Sequence, residues 1–322
     1  MERELSLELI RVTELAALAS APWMGRGDKN NADGAATEAM RRMFDTVSIR
    51  GTVVIGEGEM DEAPMLYIGE QVGSMNGPEV DVAVDPLEGT EIVARGLNNA
   101  MAVLAVAPKG QLLHAPDMYM EKLAVGPALA GKLSLNDPVR TTVEKAALAL
   151  GKPISDLTVM ILDRERHRET IAELRKCGVR IKFLSDGDVA GAMAPAFPEA
   201  GIDLYVGSGG APEGVLAAAA LKCLGGEIQG RLMPENDEQY ERCLSMGLTD
   251  PRKLLHVDDM VGTSDVMFAA TGVTPGEFLG GVRYLGDQRA ETHSMVMRAQ
   301  TKTVRYIRTV HYLPNKPLLR KD

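Results

Sequence analysis

The sequence predicts a layered α/β protein, with a mixed sheet in a first lobe and a parallel-rich sheet in a second lobe. Short apolar strands, each bounded by Gly, Pro or Asp, are expected at 52–55, 80–84 and 102–107. From residue 157 to residue 224, strands alternate with helices, a rhythm that is typical of parallel βαβ units. The β-prone segment 303–313 is expected to pair with 292–299 as a hairpin.

Apolar residues at helical spacing, together with Gly at several helix ends, predict the helices. They are expected at 5–20, 32–47, 136–151, 168–177, 189–194 and 213–224. Strands of the second lobe are expected at 157–162, 179–184 and 202–206. The regular alternation of strands and helices begins after the helix that ends at Gly151. We therefore predict a first lobe over 1–150 and a second over 151–322, folded as one integrated unit.

Composition and charge restrict the classes of function. The 322 residues include 35 Lys and Arg against 45 Asp and Glu, a formal net charge of −10. Such an acidic chain is a poor ligand for nucleic acid, and an anionic substrate would need bound cations beside it. Three cysteines without metal-type spacing favour a reducing compartment. Since the sequence shows neither a signal peptide nor a membrane-spanning apolar run, we expect a cytoplasmic protein that binds no membrane.

The strongest local signal is the segment 85–90 (DPLEGT), which follows the apolar strand predicted at 80–84. A strand end lies at a sheet edge, where α/β folds bind ligands, and the Pro and Gly favour a turn. Such a turn can aim the carboxylates of Asp85 and Glu88 and the hydroxyl of Thr90 into one volume. Hard cations such as Mg²⁺ and Mn²⁺ prefer these oxygen ligands. The alternative is a plain Asp-Pro turn with a solvated Glu.

Two further acidic segments precede it. The segment 56–62 (GEGEMDE) directly follows the first strand, and its four acids repel one another unless cations lie among them. The alternative is a solvated acidic loop. In the segment 28–34 (DKNNADG), Asp33 lies near a helix start, where capping the helix is the alternative to binding a metal.

The second lobe offers a separate set of polar groups. Its three predicted parallel strands end in 163–166 (DRER), 186–188 (DGD) and 207–210 (GSGG). Their carboxyl ends form one crevice, where Arg164 and Arg166 can hold a phosphate. Asp186 and Asp188 can accept hydrogen bonds from sugar hydroxyls, and the glycine loop before the helix near Glu213 can hold a phosphate through N–H groups. The alternative for the glycine loop is a turn that requires glycine for steric reasons, and the alternative for Asp186 is a helix cap.

Taken together, these segments resemble the class II fructose-1,6-bisphosphatases, bacterial members of the lithium-sensitive, metal-dependent sugar-phosphatase superfamily. The matching segments are 25–29 (GRGDK), 32–36 (ADGAA), 55–59 (IGEGE), 85–90 (DPLEGT), 184–188 (LSDGD), 207–214 (GSGGAPEG) and 292–294 (THS). The resemblance covers nearly the whole chain. It implies a sugar-phosphatase sandwich of α-β-α-β-α layers and hydrolysis of the 1-phosphate of fructose 1,6-bisphosphate to fructose 6-phosphate in gluconeogenesis.

The resemblance also implies roles for individual residues. Metal ligation is implied for Asp33, Glu57, Asp85, Glu88 and Glu213. Substrate contacts are implied for Glu88, Gly89, Thr90, Tyr119, Arg164, Glu165, Arg166, Asp186, Gly187, Asp188 and Gly210. From the residues alone, Tyr119 reads as a core or interface residue. The chain departs from the family at 164–167 (RERH), where Lys-Pro-Arg-His is usual; its basic ends are kept, so phosphate binding is still expected.

The expected mechanism is attack by water assisted by two or more Mn²⁺ or Mg²⁺ ions. Asp61 is the candidate general base, Thr90 orients the water or a phosphoryl oxygen, and Lys29 is an electrostatic partner of the acidic loop. Sedoheptulose 1,7-bisphosphate, alone or as a second substrate, an inositol phosphate and a nucleotide 3′-phosphate remain alternatives. A non-catalytic phosphate-ligand sensor is the alternative from another class. We also expect a homo-oligomer, a dimer or a tetramer.

Overall fold

A computed structural model describes residue 1 and residues 4–58 and 65–319. The helices are α1 (Leu5–Ser20), α2 (Lys29–Phe44), α3 (Thr90–Arg95), α4 (Val139–Leu150), α5 (Arg168–Cys177), α6 (Asp188–Met193), α7 (Ala211–Leu224), α8 (Asp237–Ser245) and α9 (Val257–Met260). The strands are β1 (Arg50–Ile55), β2 (Gln71–Val72), β3 (Glu79–Glu88), β4 (Met101–Pro108), β5 (Tyr119–Val125), β6 (Thr158–Leu162), β7 (Arg180–Leu184), β8 (Leu204–Gly210), β9 (Glu227–Leu232), β10 (Met267–Gly272), β11 (Arg283–Gly286), β12 (Arg289–Arg298) and β13 (Thr303–Tyr312). These elements confirm a mixed α/β fold.

The chain divides into two units, and the boundaries differ from those that the sequence predicted. The first unit comprises Met1–Leu112 and Thr263–Asp322, and the second comprises Leu113–Gly262. The predicted division lay between 150 and 151. The difference arises because β5 pairs with β8 and β9, while β10 to β13 join the sheet of the N-terminal strands. That residues 1–150 form a metal-binding catalytic lobe and residues 151–322 a sugar-phosphate-binding lobe stays a prediction.

The first unit contains a mixed sheet in the order β11-β12-β10-β4-β3-β1-β2, and β13 pairs with β12. β1 and β3 are parallel, and the other pairings are antiparallel. The predicted C-terminal hairpin is confirmed, with Thr292 opposite Thr309. Helices α1 and α2 pack their apolar faces on this sheet, where Leu9, Phe44 and Leu104 belong to one buried cluster. Burial of each such side chain contributes roughly 1.5–3 kcal/mol.

The second unit contains a five-stranded sheet in the order β7-β6-β8-β5-β9. The three strands that the sequence predicted here, β6, β7 and β8, are parallel to one another. Two strands that it did not predict, β5 and β9, extend the sheet in antiparallel pairings. The parallel strands bring their carboxyl ends to one edge, and this arrangement positions the polar loops of this unit.

Candidate active site

The segment 85–90 forms the end of strand β3 and the start of helix α3. β3 extends to Glu88, whereas the sequence predicted that the strand stops before a turn at Asp85. The pairing with β4 shifts between Asp85 and Glu88 because β3 carries an extra residue there, and the Leu87 N–H donates to Asp85 Oδ1 at 3.0 Å. An irregular strand end therefore orients these two carboxylates, and the turn that the sequence predicted begins only at Gly89.

Asp85 and Glu88 place two carboxylates close together. Each offers an oxygen, and the two oxygens lie within 4.8 Å of each other. Asp85 is half-buried, and Glu88 is only 4% exposed. Carboxylates this close repel unless positive charge lies nearby, so the pair fits a hard divalent cation. Gly89, at a left-handed φ of +89°, then lets the chain turn into α3, whose first residue is Thr90.

The loop after β1 holds Glu57 against a later segment. The Glu57 N–H donates to the Leu66 carbonyl at 3.0 Å. A Cβ at Gly56 would lie 1.9 Å from the same Leu66 oxygen, so only glycine allows this close approach. Asp61, the predicted general base, belongs to the segment 59–64 and lies outside the described residues. Its role therefore stays a prediction.

The start of α2 shows which aspartate caps this helix, a role that the sequence left open for Asp33. Asp28 is the cap, because its carboxylate accepts the Asn31 N–H at 3.0 Å, and this hydrogen bond lowers the pKa of Asp28. Asp33 lies inside the helix, where partial burial raises the pKa of its carboxyl group. Capping is therefore not the role of Asp33. Lys29 donates to Glu91 Oε1 at 2.7 Å in an exposed ion pair, and its predicted electrostatic role stays a prediction.

Glu213 is the third residue of α7 and folds back over the loop before the helix. A Cβ at Gly210 would lie 1.9 Å from Glu213 Oε2. The same Oε2 is enclosed and has no hydrogen-bond partner among the described residues. Burial raises the pKa of Glu213, and the charge of Lys122 opposes this effect. A buried carboxylate oxygen without a donor fits a metal ligand, since a cation would supply the missing charge.

Lys122 on β5 is a buried charge that the sequence analysis missed. Its side chain is 1% exposed, and Nζ donates to Asp188 Oδ2 and to the Gly210 carbonyl, the latter at 2.5 Å. The Tyr205 hydroxyl donates to the other oxygen of Asp188. Only a glycine fits at Gly209, where a Cβ would lie 2.0 Å from Asp188 Oδ2. Both oxygens of Asp188 are therefore engaged inside the unit, and its predicted contact with sugar hydroxyls stays a prediction.

Arg164 and Asp186, both predicted to contact substrate, contact each other. The Arg164 guanidinium donates to Asp186 Oδ1 at 3.4 Å. Gly187, with a left-handed φ of +93°, is the residue before α6, so Asp186 does not have the alternative capping role. Glu165, which replaces the family's usual proline, lies on the surface and pairs with Arg168 at 3.1 Å. The charge of Glu165 is therefore balanced locally, at the start of α5.

Arg166 is held on two sides. Its guanidinium carbon lies 4.6 Å from the centroid of the Tyr119 ring, and its nitrogens donate to the Ser208 carbonyl at 2.7 Å and hydroxyl at 3.0 Å. The Ser208 N–H donates to His167 Nε2 at 2.8 Å, so the ring hydrogen is on Nδ1 and donates to the Leu162 carbonyl. Burial lowers the pKa of His167 and keeps the ring neutral. Tyr119 is 44% exposed, so it lies at the surface of this unit rather than in the core.

Comparisons with known proteins agree with this chemistry. A family model described as "Bacterial fructose-1,6-bisphosphatase, glpX-encoded" matches residues 3–311. The chain belongs to this family. As a member of the glpX-encoded bisphosphatases it is a phosphatase, which removes the alternative of a non-catalytic sensor.

Relatives of this bisphosphatase family match over nearly the full chain. The protein is 49% identical to "Fructose-1,6-bisphosphatase 1 class 2" of Escherichia coli strain K12, over 98% of this chain and 97% of the relative. It is 44% identical to "D-fructose 1,6-bisphosphatase class 2/sedoheptulose 1,7-bisphosphatase" of Synechococcus sp. strain JA-3-3Ab, over 97% of this chain and 96% of the relative. Inositol monophosphatase from Anabaena (Nostoc) sp. PCC 7120 aligns at 14% identity and a TM-score of 0.30, over 60% of this chain and 71% of that one, too low a likeness to support an argument.

Proposed function

We propose that this phosphatase hydrolyses the 1-phosphate of fructose 1,6-bisphosphate to give fructose 6-phosphate and phosphate, as a step of gluconeogenesis in the cytoplasm. The near full-length identity to the Escherichia coli bisphosphatase supports this substrate. The observation that carries the chemistry is the enclosed Oε2 of Glu213, which has no donor among the described residues and fits a cation. Among the described helices, none is long and apolar enough to cross a membrane.

The metal ligands that we propose are all carboxylates, which is the donor set that hard cations prefer. They are Asp33, Glu57, Asp85, Glu88 and Glu213. The close oxygens of Asp85 and Glu88 support their part in this set. Two or more Mn²⁺ or Mg²⁺ ions, when bound, would neutralise phosphoryl oxygens and lower the pKa of the attacking water.

Residues of the second unit are proposed to bind the remainder of the substrate. Arg166, which Tyr119 and Ser208 hold in place, is proposed to bind the phosphate that is not cleaved through guanidinium N–H groups that Ser208 does not engage. Arg164 and Asp186 are close enough to hold a phosphate and a neighbouring hydroxyl group together. The full proposed set also includes Glu88, Gly89, Thr90, Glu165, Gly187, Asp188 and Gly210.

Proton transfer is assigned to the acidic loop. We propose that Asp61 is the general base, whose carboxylate oxygen accepts a proton from the attacking water. Thr90, at the start of α3, would orient that water or a phosphoryl oxygen through its hydroxyl, and Lys29 would favour the ionised state of the acidic loop.

A second substrate, sedoheptulose 1,7-bisphosphate, is favoured by one observation. The Synechococcus relative carries both activities in its name and is 44% identical over nearly the whole chain. A sugar bisphosphate with one more carbon would use the same carboxylates and the same Arg166. We therefore propose dual specificity as the second candidate function.

Phosphate release from a panel of substrates tests both candidates. The panel contains fructose 1,6-bisphosphate, sedoheptulose 1,7-bisphosphate, fructose 1-phosphate and inositol 1-phosphate. Each substrate is assayed with protein from which a chelator has removed metal, and again after Mn²⁺ or Mg²⁺ is added. We expect turnover of the bisphosphates only after metal is added. Full turnover by the metal-free protein would contradict the proposed metal requirement. No turnover of fructose 1,6-bisphosphate with either metal would contradict the proposed function.

A further inference from the structure

A directional chain of hydrogen bonds connects the end of β6 to the guanidinium group of Arg166. The Ser208 N–H lies 2.8 Å from His167 Nε2, so this nitrogen is an acceptor, and the ring donates from Nδ1 to the Leu162 carbonyl at 2.8 Å. The Ser208 hydroxyl lies 3.1 Å from the same Nε2 and 3.0 Å from Arg166 Nε. Because Nε2 carries no hydrogen, the hydroxyl donates to it and accepts from Arg166. Hydrogen bonds aligned in this way strengthen one another.

The His167 ring is held tightly in this chain. His167 is only 3% exposed, and burial lowers its pKa, which keeps the ring neutral and Nε2 able to accept. Gly207, at a φ of +138°, brings β8 close to the ring, because a Cβ there would lie 3.1 Å from both Cε1 and Nε2. The ring is therefore a rigid anchor for Ser208 and, through Ser208, for Arg166.

Arg166 needs an anchor because there is free space beside it. A cavity of about 210 Å³ borders Arg166, His167 and Ser208 and extends toward Val143 of α4 and Leu174 of α5. An arginine side chain has many rotamers, so a guanidinium group next to such a cavity would occupy several orientations unless hydrogen bonds select one. Ser208 contacts Nε and Nη2, and the N–H groups of Nη1 are left for a ligand.

We infer that His167 is a positioning residue that, through Ser208, holds Arg166 in the orientation that binds the uncleaved phosphate, and that it thereby sets the preference for sugar bisphosphates over monophosphates. The inference rests on the phosphate contact proposed for Arg166. It separates two roles of a buried histidine. A residue that only stabilised the fold would affect every substrate alike, whereas a residue that acts through Arg166 affects only substrates that carry the second phosphate.

Two variants break the chain at different links. His167→Phe keeps an aromatic ring but removes the acceptor, and Ser208→Ala removes the hydroxyl but keeps the backbone N–H. For each variant we expect KM for fructose 1,6-bisphosphate to rise about 10-fold at unchanged kcat, and kcat/KM for fructose 1-phosphate to stay unchanged. His167→Gln, whose side-chain oxygen can accept in place of Nε2, should restore most of the wild-type KM. Ser155→Ala, at an exposed serine, is the control.

A double-mutant cycle tests whether the effect passes through Arg166. In the Arg166→Ala background, we expect His167→Phe and Ser208→Ala to leave KM for fructose 1,6-bisphosphate unchanged, since the group that they position is gone. A further rise of about 10-fold in that background, or equal losses of kcat/KM with both substrates, would overturn the inference. So would a wild-type KM in Ser208→Ala, the variant that keeps the strand backbone intact if His167→Phe fails to fold.

A measurement without turnover separates this inference from the proposed function. In protein that contains ¹⁵N-labelled arginine, the Nε–H signal of Arg166 is assigned by its loss in Arg166→Ala. We expect this hydrogen to exchange with water about 10-fold faster in His167→Phe and Ser208→Ala than in the wild type. Equal exchange in the three proteins would overturn the inference. Slow exchange in a wild type that hydrolyses no sugar phosphate would contradict the proposed function, while the anchoring of Arg166 would stand.

Discussion

Two helix starts in the second unit each carry a carboxylate, and the two carboxylates differ in what satisfies them. Asp188, the first residue of α6, is bonded through one oxygen to Lys122 and through the other to Tyr205. Glu213, the third residue of α7, keeps an enclosed oxygen without a donor among the described residues. Burying an ionised carboxylate is unfavourable unless charge and hydrogen bonds compensate it.

The difference shows that protein groups compensate the buried charge of Asp188, whereas the carboxylate of Glu213 still requires a ligand. The Lys122 ammonium balances the charge of Asp188, so removing either partner would leave an uncompensated buried charge. Lys122 also lowers the pKa of Glu213, but burial still raises it overall. The protein thus supplies one buried cation for two carboxylates, and the second carboxylate is the one that we assign to a metal ion.

The largest expected effect comes from Glu213→Gln. We expect turnover to fall by orders of magnitude at saturating Mn²⁺, because a neutral amide lacks the negative charge of the carboxylate and binds a hard cation more weakly. The metal-free protein should keep its thermal stability or gain some, since the variant buries no charge. Kinetics with titrated Mn²⁺ and thermal melts without metal measure both effects. Glu199→Gln at an exposed position is the control, and an active Glu213→Gln enzyme would show that the enclosed oxygen binds no essential metal.

Asp188→Asn should have the next largest effect, and that effect is on stability. Breaking a buried ion pair by removing one partner costs about 3–5 kcal/mol. The exposed pair of Glu173 and Lys176 provides the control, because Glu173→Gln removes a solvent-screened contact and should leave the free energy of unfolding nearly unchanged. Urea unfolding of the metal-free proteins measures both values. Adding Lys122→Met should recover part of the loss, and equal losses for Asp188→Asn and Glu173→Gln would contradict the buried pair.

Arg166→Ala tests recognition without touching either carboxylate. Losing a charge-assisted contact costs about 1.5–3 kcal/mol, or roughly 10- to 150-fold in kcat/KM. The loss should be large for fructose 1,6-bisphosphate and small for fructose 1-phosphate, which lacks the second phosphate. Arg168→Ala, two residues further along on the surface, is the control. An unchanged ratio of the two efficiencies would remove Arg166 from the distal phosphate site.

The smallest effect concerns another buried carboxylate, Glu14, which accepts hydrogen bonds from hydroxyl groups. Burial raises the pKa of Glu14 despite the hydrogen bonds from Thr292 and Thr309. Because the folded pKa lies above the unfolded value, the stability that Glu14 contributes is present at low pH and is lost as the pH rises through the folded pKa. The free energy of unfolding, wild type minus Glu14→Gln, should therefore fall from pH 4 to pH 8. A flat difference would contradict the assignment.

Local sequence patterns predicted the elements whose contacts are local. The βαβ rhythm and the C-terminal hairpin were predicted because apolar periodicity and β-branched residues mark them directly. Strand β5 was missed because Glu121 and Lys122 interrupt its apolar pattern, and the partner that allows Lys122 to be buried, Asp188, lies 66 residues away in the sequence. Long-range pairings of this kind cannot be read from local spacing.

The same limit applied to the site. Motif resemblance named the carboxylates, but it could not show that Asp188 is already paired or that Asp28 rather than Asp33 caps α2. It also could not show the shifted register at Asp85, because that shift depends on the pairing of β3 with β4. A motif predicts which residues belong to the site, whereas the hydrogen-bond partners of each carboxylate oxygen depend on residues that are distant in the sequence.

The split of the first unit across the chain sets an order of events during synthesis. Strand β4 is made early, but its neighbour β10 follows only after the whole second unit, Leu113–Gly262. At about 5–20 residues per second, that delay is roughly 8–30 s. The second unit is continuous and emerges complete, whereas in the nascent first sheet β4, which carries Leu104 and Val106, is paired with β3 on one edge and still lacks β10 on the other. A ribosome that stalls in this interval would therefore expose an aggregation-prone apolar edge, which chaperones would have to cover.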